Sequence, residues 1–239
     1  MSVQPALRAL ALSIAATFAG SGAAVATLIP VAQERSISAS ARVDAATDSD
    51  SSAAPDLAPY SDSVEALVSL GYVARGFASQ ASTIAPSLVV AEGSTEAAGD
   101  ASFDSSIGAA GSSEFSLTFE LEDGGTWAID AAVDVSGLRL GIFFAEVRLG
   151  GPSGQVLALF DEDQLSDLLV LAPGTYVLTA RAGSDAFPTD VDSDSGAASF
   201  SVRLEEVPEP GPLALLGAGV VGLLGSAPRI RTFGTSRRR

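Results

Sequence analysis

The chain of 239 residues contains no cysteine, no histidine and no lysine. Without cysteine there is no disulfide framework. The absence of histidine and cysteine together excludes Ser-His-Asp and Cys-His nucleophiles, a haem axial histidine and ordinary zinc ligation. General acid-base work would fall to carboxylates, and a glycosidase needs a close pair of them in a cleft, with aromatics to stack on sugar. Only one tryptophan is present. Basic residues are scarce as well: 13, all arginine, against 29 acids, for a net charge of −16. That balance argues against a nucleic-acid partner, whose phosphates must be met by basic side chains.

The charge is unevenly spread. Arg8 lies near the start, and Arg229, Arg231, Arg237, Arg238 and Arg239 lie in the last eleven residues. Residues 27–206 hold 28 acids and 7 arginines, a net −21. Both ends are basic and apolar, whereas the middle is acidic.

Residues 1–26 have the zones of a secretory signal peptide: Arg8, an apolar run from Ala9 to Ala19, and a small-residue exit at Ala24-Val25-Ala26. Cleavage is expected after Ala26, by signal peptidase. The alternative, an uncleaved anchor helix, is opposed by the break at Gly20-Ser21-Gly22 and by the lack of a charged stop-transfer flank. An exported protein follows.

A second apolar segment, residues 211–228, lies in the nineteen uncharged residues between Glu209 and Arg229. At 1.5 Å per residue such a stretch makes about 28 Å of helix, close to the ~30 Å hydrocarbon core. Its strongest part, Leu213 to Leu224, carries three glycines, so a buried core helix is the alternative. Glycine is frequent in membrane helices, and the arginines of residues 229–239 suit a cytoplasmic tail under the positive-inside rule. A transmembrane helix is therefore expected.

Val207-Pro208-Glu209-Pro210, then Gly211-Pro212-Leu213-Ala214-Leu215-Leu216-Gly217, a glycine-spotted apolar helix and an arginine-rich end, resembles the PEP-CTERM sorting signal of Gram-negative bacteria. The resemblance covers residues 207–239. It implies that an exosortase, a membrane enzyme, reads the motif, cuts near Pro-Glu-Pro and releases the domain toward the cell surface or exopolysaccharide matrix. The arginines here are interrupted by Thr232 to Ser236, where the family clusters them. Independently of any family, Pro208 and Pro210 cannot continue a ladder or a helix interior, which leaves an extended, accessible backbone. A plain membrane-proximal hinge would have the same rigidity and no cut.

Residues 27–206 carry the period-two alternation of strands. Phe115, Leu117, Phe119 and Leu121 alternate with polar residues, as do Ala198, Phe200, Val202 and Leu204, and Tyr176, Leu178, Ala180 and Ala182. Further strands are expected at Trp127 to Val135, Leu138 to Leu149 and Val156 to Phe160, separated by glycine and proline turns. The fold class is all-β: an antiparallel β-sandwich or jelly-roll-like ectodomain. A change of phase after Ile142 predicts a β-bulge near residues 142–144.

The N-terminal third is rich in Ser, Ala and Asp, and residues 44–60 read as disordered for want of large apolar side chains. Val64 to Val73 fits a helix or a strand about equally. An opening Arg-Ser-x-Ser-x-Ser strand and a closing Leu-x-Pro-Gly-Thr-Tyr-x-Leu hairpin are familiar in proteins with this kind of tail. Here they would be Arg35 to Ser40 and Leu171 to Leu178, so strands are expected throughout.

Nothing in residues 27–206 compels an enzyme. Asp161-Glu162-Asp163 reads as a solvated turn and Trp127 as core; Tyr60 and Tyr72 are the candidate exposed stacking residues for a carbohydrate-binding module or a carboxylate-based glycoside hydrolase. The one metal-like run is Asp190-Val191-Asp192-Ser193-Asp194-Ser195-Gly196, whose alternating carboxylates suit Ca2+. It departs from an EF-hand loop in the position of its glycine and in having Ser201 at the twelfth place. A solvated acidic loop is the alternative. The sum of these readings is an exported surface or matrix structural protein, processed at its C-terminus, with exopolysaccharide as a further partner. An uncleaved single-pass membrane protein is the other outcome.

Overall fold

The computed structural model describes residues 27–100, 105–137, 141–189 and 192–208. They form twelve strands in two antiparallel six-stranded sheets, a β-sandwich. The first sheet has the order β2 (Ala46–Ala53), β1 (Leu28–Val43), β6 (Ile107–Leu121), β11 (Gly174–Ala186), β8 (Ile142–Gly151), β9 (Gly154–Phe160). The second has the order β10 (Gln164–Leu171), β7 (Gly125–Gly137), β12 (Asp194–Glu206), β5 (Leu88–Gly99), β4 (Val73–Ala85), β3 (Tyr60–Ser69). The expected helix 211–228, the signal peptide 1–26 and the tail 229–239 lie outside the described residues. Among the described residues no helix is long and apolar enough to cross a membrane.

From β5 onward the chain is a rolled double ribbon. Strand β5 pairs with β12, β6 with β11, β7 with β10 and β8 with β9, so the ribbon's two arms run side by side as they wind from sheet to sheet. That is the winding of a jelly roll. Strands β1 and β2 extend the first sheet beyond β6, and β3 and β4 extend the second beyond β5.

The alternation read from the sequence places the core. Phe115, Leu117, Phe119, Leu121, Tyr176, Leu178, Phe200, Val202, Leu204 and Trp127 all turn inward and form the interior of the rolled ribbon. The rings of Phe119 and Tyr176 stack at 5.6 Å between centroids. The Tyr176 hydroxyl donates to the Ala172 carbonyl at 2.9 Å, fastening the corner where the chain leaves β10 for β11. Gly174, at φ +144°, makes that corner, and a β-carbon there would crowd Pro152. The expected Leu171 to Leu178 hairpin is thereby corrected. Its two arms belong to different sheets, because a sharp Pro-Gly corner serves a crossover as well as a hairpin.

A second core lies between the added strands, and it is built differently. Its members are mostly alanine: Ala39 and Ala41 on β1, Ala66 on β3, Ala74 and Ala78 on β4, with Ile37, Val43, Val64 and Val68 at its margins. Short side chains bury surface only if the sheets come close, and glycine permits it. A β-carbon on Gly76 would overlap the carbonyl oxygens of Ala110 and Ser40, and one on Gly111 would overlap that of Phe77. The backbones of β4 and β6 thus touch reciprocally across the sandwich. Between the two cores runs a buried polar seam of Arg35, Gln80, Ser82, Thr95, Ser113 and Ser184.

This thin wing corrects the expectation of disorder at residues 44–60. Strand β2 pairs along its whole length with β1, from Val43 opposite Ala46 to Ser36 opposite Ala53. Asp44 makes the hairpin turn at φ +53°, and its carboxylate accepts from the Ser106 amide at 2.8 Å. β2 is almost wholly exposed; ladder hydrogen bonds to β1 and side-chain hydrogen bonds of Asp48 and Ser52 with β3 hold it, not buried side chains, and composition does not register those. Residues 64–69 belong to strand β3, with Val64, Ala66 and Val68 buried and Leu67 half exposed. The predicted bulge is absent from the β8–β11 pairing, which runs without a shift from Ile142 to Gly150. The change of phase instead coincides with the end of β7 and the start of β8; Leu138 and Leu140 lie outside the described residues.

Candidate functional site

The residues singled out in the sequence do not converge. Val207 donates its amide to the Thr126 carbonyl at 2.9 Å, and Pro208 is exposed. Ala24, Ala26, Glu209, Pro210, Arg229, Arg231, Arg237, Arg238 and Arg239 lie outside the described residues. Trp127 is fully buried in the main core. Tyr60 and Tyr72 are half-buried: Tyr60 lies beneath the Arg35 guanidinium, 5.7 Å from its ring centroid, and Tyr72 packs against the alanine core. Neither is a free stacking platform.

In the acidic loop, Asp194 is buried and its Oδ2 accepts from the Phe187 amide at 2.8 Å, so it closes the turn between β11 and β12. Asp192 is exposed, its amide donating to Thr189 Oγ1 at 3.3 Å. Asp190 lies outside the described residues. No group of three acidic side chains close enough to hold a metal ion occurs among the described residues.

A different surface brings polar and aromatic groups together. On the outer face of the first sheet, a depression of about 580 Å³ runs from β2 to β8. Cross-strand register sets one row through it: Ser51 on β2 stands beside Ser38 on β1, then Ser112 on β6, Gly183 on β11 and Phe144 on β8. Adjacent strands are ~4.8 Å apart, so the row extends about 19 Å. A β-carbon on Gly183 would collide with the Phe144 ring; the ring occupies the space a side chain would have taken. Phe144 is 43% exposed.

The next row places Ser49, Ser40, Ala110 and Asp185 side by side. Asp185 is half-buried, and burial raises its carboxyl above the ordinary carboxylate range. No arginine lines the depression. Arginines stand in the rows on either side: Arg181 opposite Glu114 and Glu146, and Arg42 between Thr47 and Gly108, its Nε donating to the Asp44 carbonyl at 2.8 Å; Arg148 is bound to Glu146 at 2.7 Å.

The Asp185 shift has a stability consequence. Because the native state holds the proton more tightly than the unfolded chain, the ionised carboxylate opposes folding. The penalty is absent below the unfolded pKa, grows through the window up to the raised native pKa, and is fully present above it. Asp185→Asn is therefore expected to raise the melting temperature at pH 7 and leave it unchanged at pH 3, as scanning calorimetry at the two values would reveal.

Sequence reasoning missed Phe144 and Asp185. Phe144 sat in a hydrophobic run whose inward residue was its neighbour Phe143, and Asp185 was one acid among many. The available signal was the glycine at position 183, which pairs directly with Phe144. No family model matches the chain, and no curated protein matches it.

Proposed function

We propose that this chain is an exported structural protein of the cell surface or exopolysaccharide matrix, whose C-terminal tail is read and cut by an exosortase-like membrane enzyme. The observation that carries the reading is the tail itself: Val207 to Pro210, the apolar segment 211–228 and the arginines of 229–239 follow in that order. The placement of the domain boundary supports it. Strand β12 ends at Glu206, whose amide donates to Ser87 at 3.0 Å, and Val207 makes the last ladder-like bond to Thr126. A cut at Pro208 to Pro210 would leave every strand intact.

In this role the chain is a substrate and not an enzyme. The signal peptide brings it to the membrane, residues 211–228 hold it there, and the arginines fix its topology. A domain carrying −21 stays soluble and repels its copies once released. Peptide mass spectrometry of the cell-surface and secreted fractions of the host is expected to find a C-terminus near Pro210, with Arg229 to Arg239 missing. An intact arginine tail found only in membranes would make the protein a permanent single-pass anchor and end the sorting reading.

A further inference from the structure

We propose that the depression on the outer face of the first sheet binds a neutral polysaccharide chain, one sugar ring packing on the exposed part of the Phe144 ring while Asp185 and the serines take its hydroxyls. A sugar ring has apolar C–H faces and a hydroxyl rim, and the surface offers a counterpart to each. The Phe144 ring is seated against Gly183 and is 43% exposed, so it offers apolar surface with less of the entropy cost of ordering a mobile side chain. A part-exposed aromatic ring beside polar groups is a recurring feature of binding sites. Ser38, Ser40, Ser51 and Ser112 each supply a hydroxyl that can donate or accept. The Asp185 carboxylate has no hydrogen-bond partner among the described residues and can only accept once ionised. Sugar hydroxyls are donors that would satisfy it.

Charge selects the class of glycan. Asp185 is the charged side chain that register places on the outer face of the depression, since Asp50 pairs with the inward Ala39, so uronates, sulfated sugars and phosphates beside it would meet like charge. Shape argues for a polymer: a row of about 19 Å across four strand spacings is longer than one ring requires. Across β1, β6 and β11 the surface is the face of a sheet, with backbone groups paired on both sides; β2 alone is an edge strand. An extended peptide lying over those three strands therefore has no ladder to join. The proposal does not rest on processing of the tail, because every residue it uses belongs to the sandwich.

Affinity electrophoresis tests it with the full chain in a sugar-free polyoxyethylene detergent, run through native gels containing a neutral β-glucan, a galactomannan, dextran or, for contrast, alginate. Retardation in at least one neutral gel and none in alginate is expected. Phe144→Ala should weaken that binding at least about tenfold, and Asp185→Asn should weaken it less. Phe144→Leu keeps an apolar cover on Gly183 while removing the ring, so it should also lose binding with its melting temperature preserved. Ser63→Ala, on the opposite sheet, should bind as the parent does. Free migration in every neutral gel, equal retardation in alginate, or binding that survives both Phe144 variants would overturn the proposal. The unprocessed chain serves throughout, so failure here leaves the sorting reading untouched.

Discussion

Gly76→Ala is expected to destabilise the protein by about 3 kcal/mol or more, the upper end of what overpacking a closed interior costs. The added methyl would overlap two backbone oxygens, those of Ala110 and Ser40. Neither is the end of a flexible side chain, so relief requires the β4 backbone to part from those of β1 and β6, which unpacks Ala41, Ala78 and Ala109 together. In a domain of this size such a loss lowers the melting temperature by roughly 6–12 °C. Gly111→Ala attacks the same approach from the other sheet. The double variant should therefore cost clearly less than the sum of the two, because the first methyl has already opened the gap that the second needs. Gly108→Ala is the control: its β-carbon would meet nothing closer than the Ala186 carbonyl at 4.0 Å, and it should be neutral or stabilise by up to about 1 kcal/mol. Urea unfolding midpoints of the four variants decide the matter; an unperturbed Gly76→Ala would mean the wing does not pack as described.

The second large effect is expected at Arg35, which is buried in the polar seam with 1% exposure. Its guanidinium donates to Gln33 Oε1 at 2.7 Å, to Ser82 Oγ and the Ala58 carbonyl at 3.0 Å each, and to the Asp56 carbonyl. Burial lowers its pKa, with the Asp56 charge opposing the shift, yet arginine remains charged at any working pH. Five donors in a rigid fork can serve four acceptors at once, and no other side chain can. Arg35→Met fills much of the space but leaves those acceptors unmatched, at about 1–3 kcal/mol for each that stays buried. The segment 54–59 can swing into water to recover some of them, so the net loss is expected at about 2–4 kcal/mol. Arg35→Lys should fall between, since a single ammonium cannot reach all four. Hydrogen exchange gives the specific signature: the Ala54 amide, which donates to the Arg35 carbonyl at 3.0 Å, should lose protection before the strands of the rolled ribbon do. Uniform loss across the whole domain would show that Arg35 does not staple this segment in particular.

Both residues belong to the region where sequence reasoning worked least well. The rolled ribbon was legible because its strands alternate large apolar and polar residues. Phe115 to Leu121, Tyr176 to Ala182 and Ala198 to Leu204 announce which face is inside whatever the partner strand is. The wing carries no such signal. Ala39, Ala41, Ala66, Ala74 and Ala78 score as weakly apolar wherever they occur, and Gly76 and Gly111 read as breakers. Their contribution arises only when two sheets approach closely enough for backbone and methyl groups to make contact. The polar strand β2 is likewise invisible, since its stability resides in hydrogen bonds to β1 and β3.

The candidate site was less legible still. A serine every second residue in Ser36-Ile37-Ser38-Ala39-Ser40 says that one face is polar, without saying what stands beside it. The neighbours of Ser38, namely Ser51 and Ser112, come from thirteen residues downstream and from another arm of the fold. Phe144 reaches the same row only through the pairing of β8 with β11.

By itself, then, the sequence determined the chemistry that is excluded, the acidity of the central domain, the all-β class and the inward face of each strongly alternating strand. These depend on composition and on a period of two, which are local properties. Only the tertiary structure decided the winding of the ribbon, the closeness of the sheets at Gly76 and Gly111, the burial of Arg35 and the meeting of Phe144, Asp185 and the serines. Those depend on register between strands far apart in the chain, and register is fixed jointly by all the strands of a sheet rather than written into any one of them.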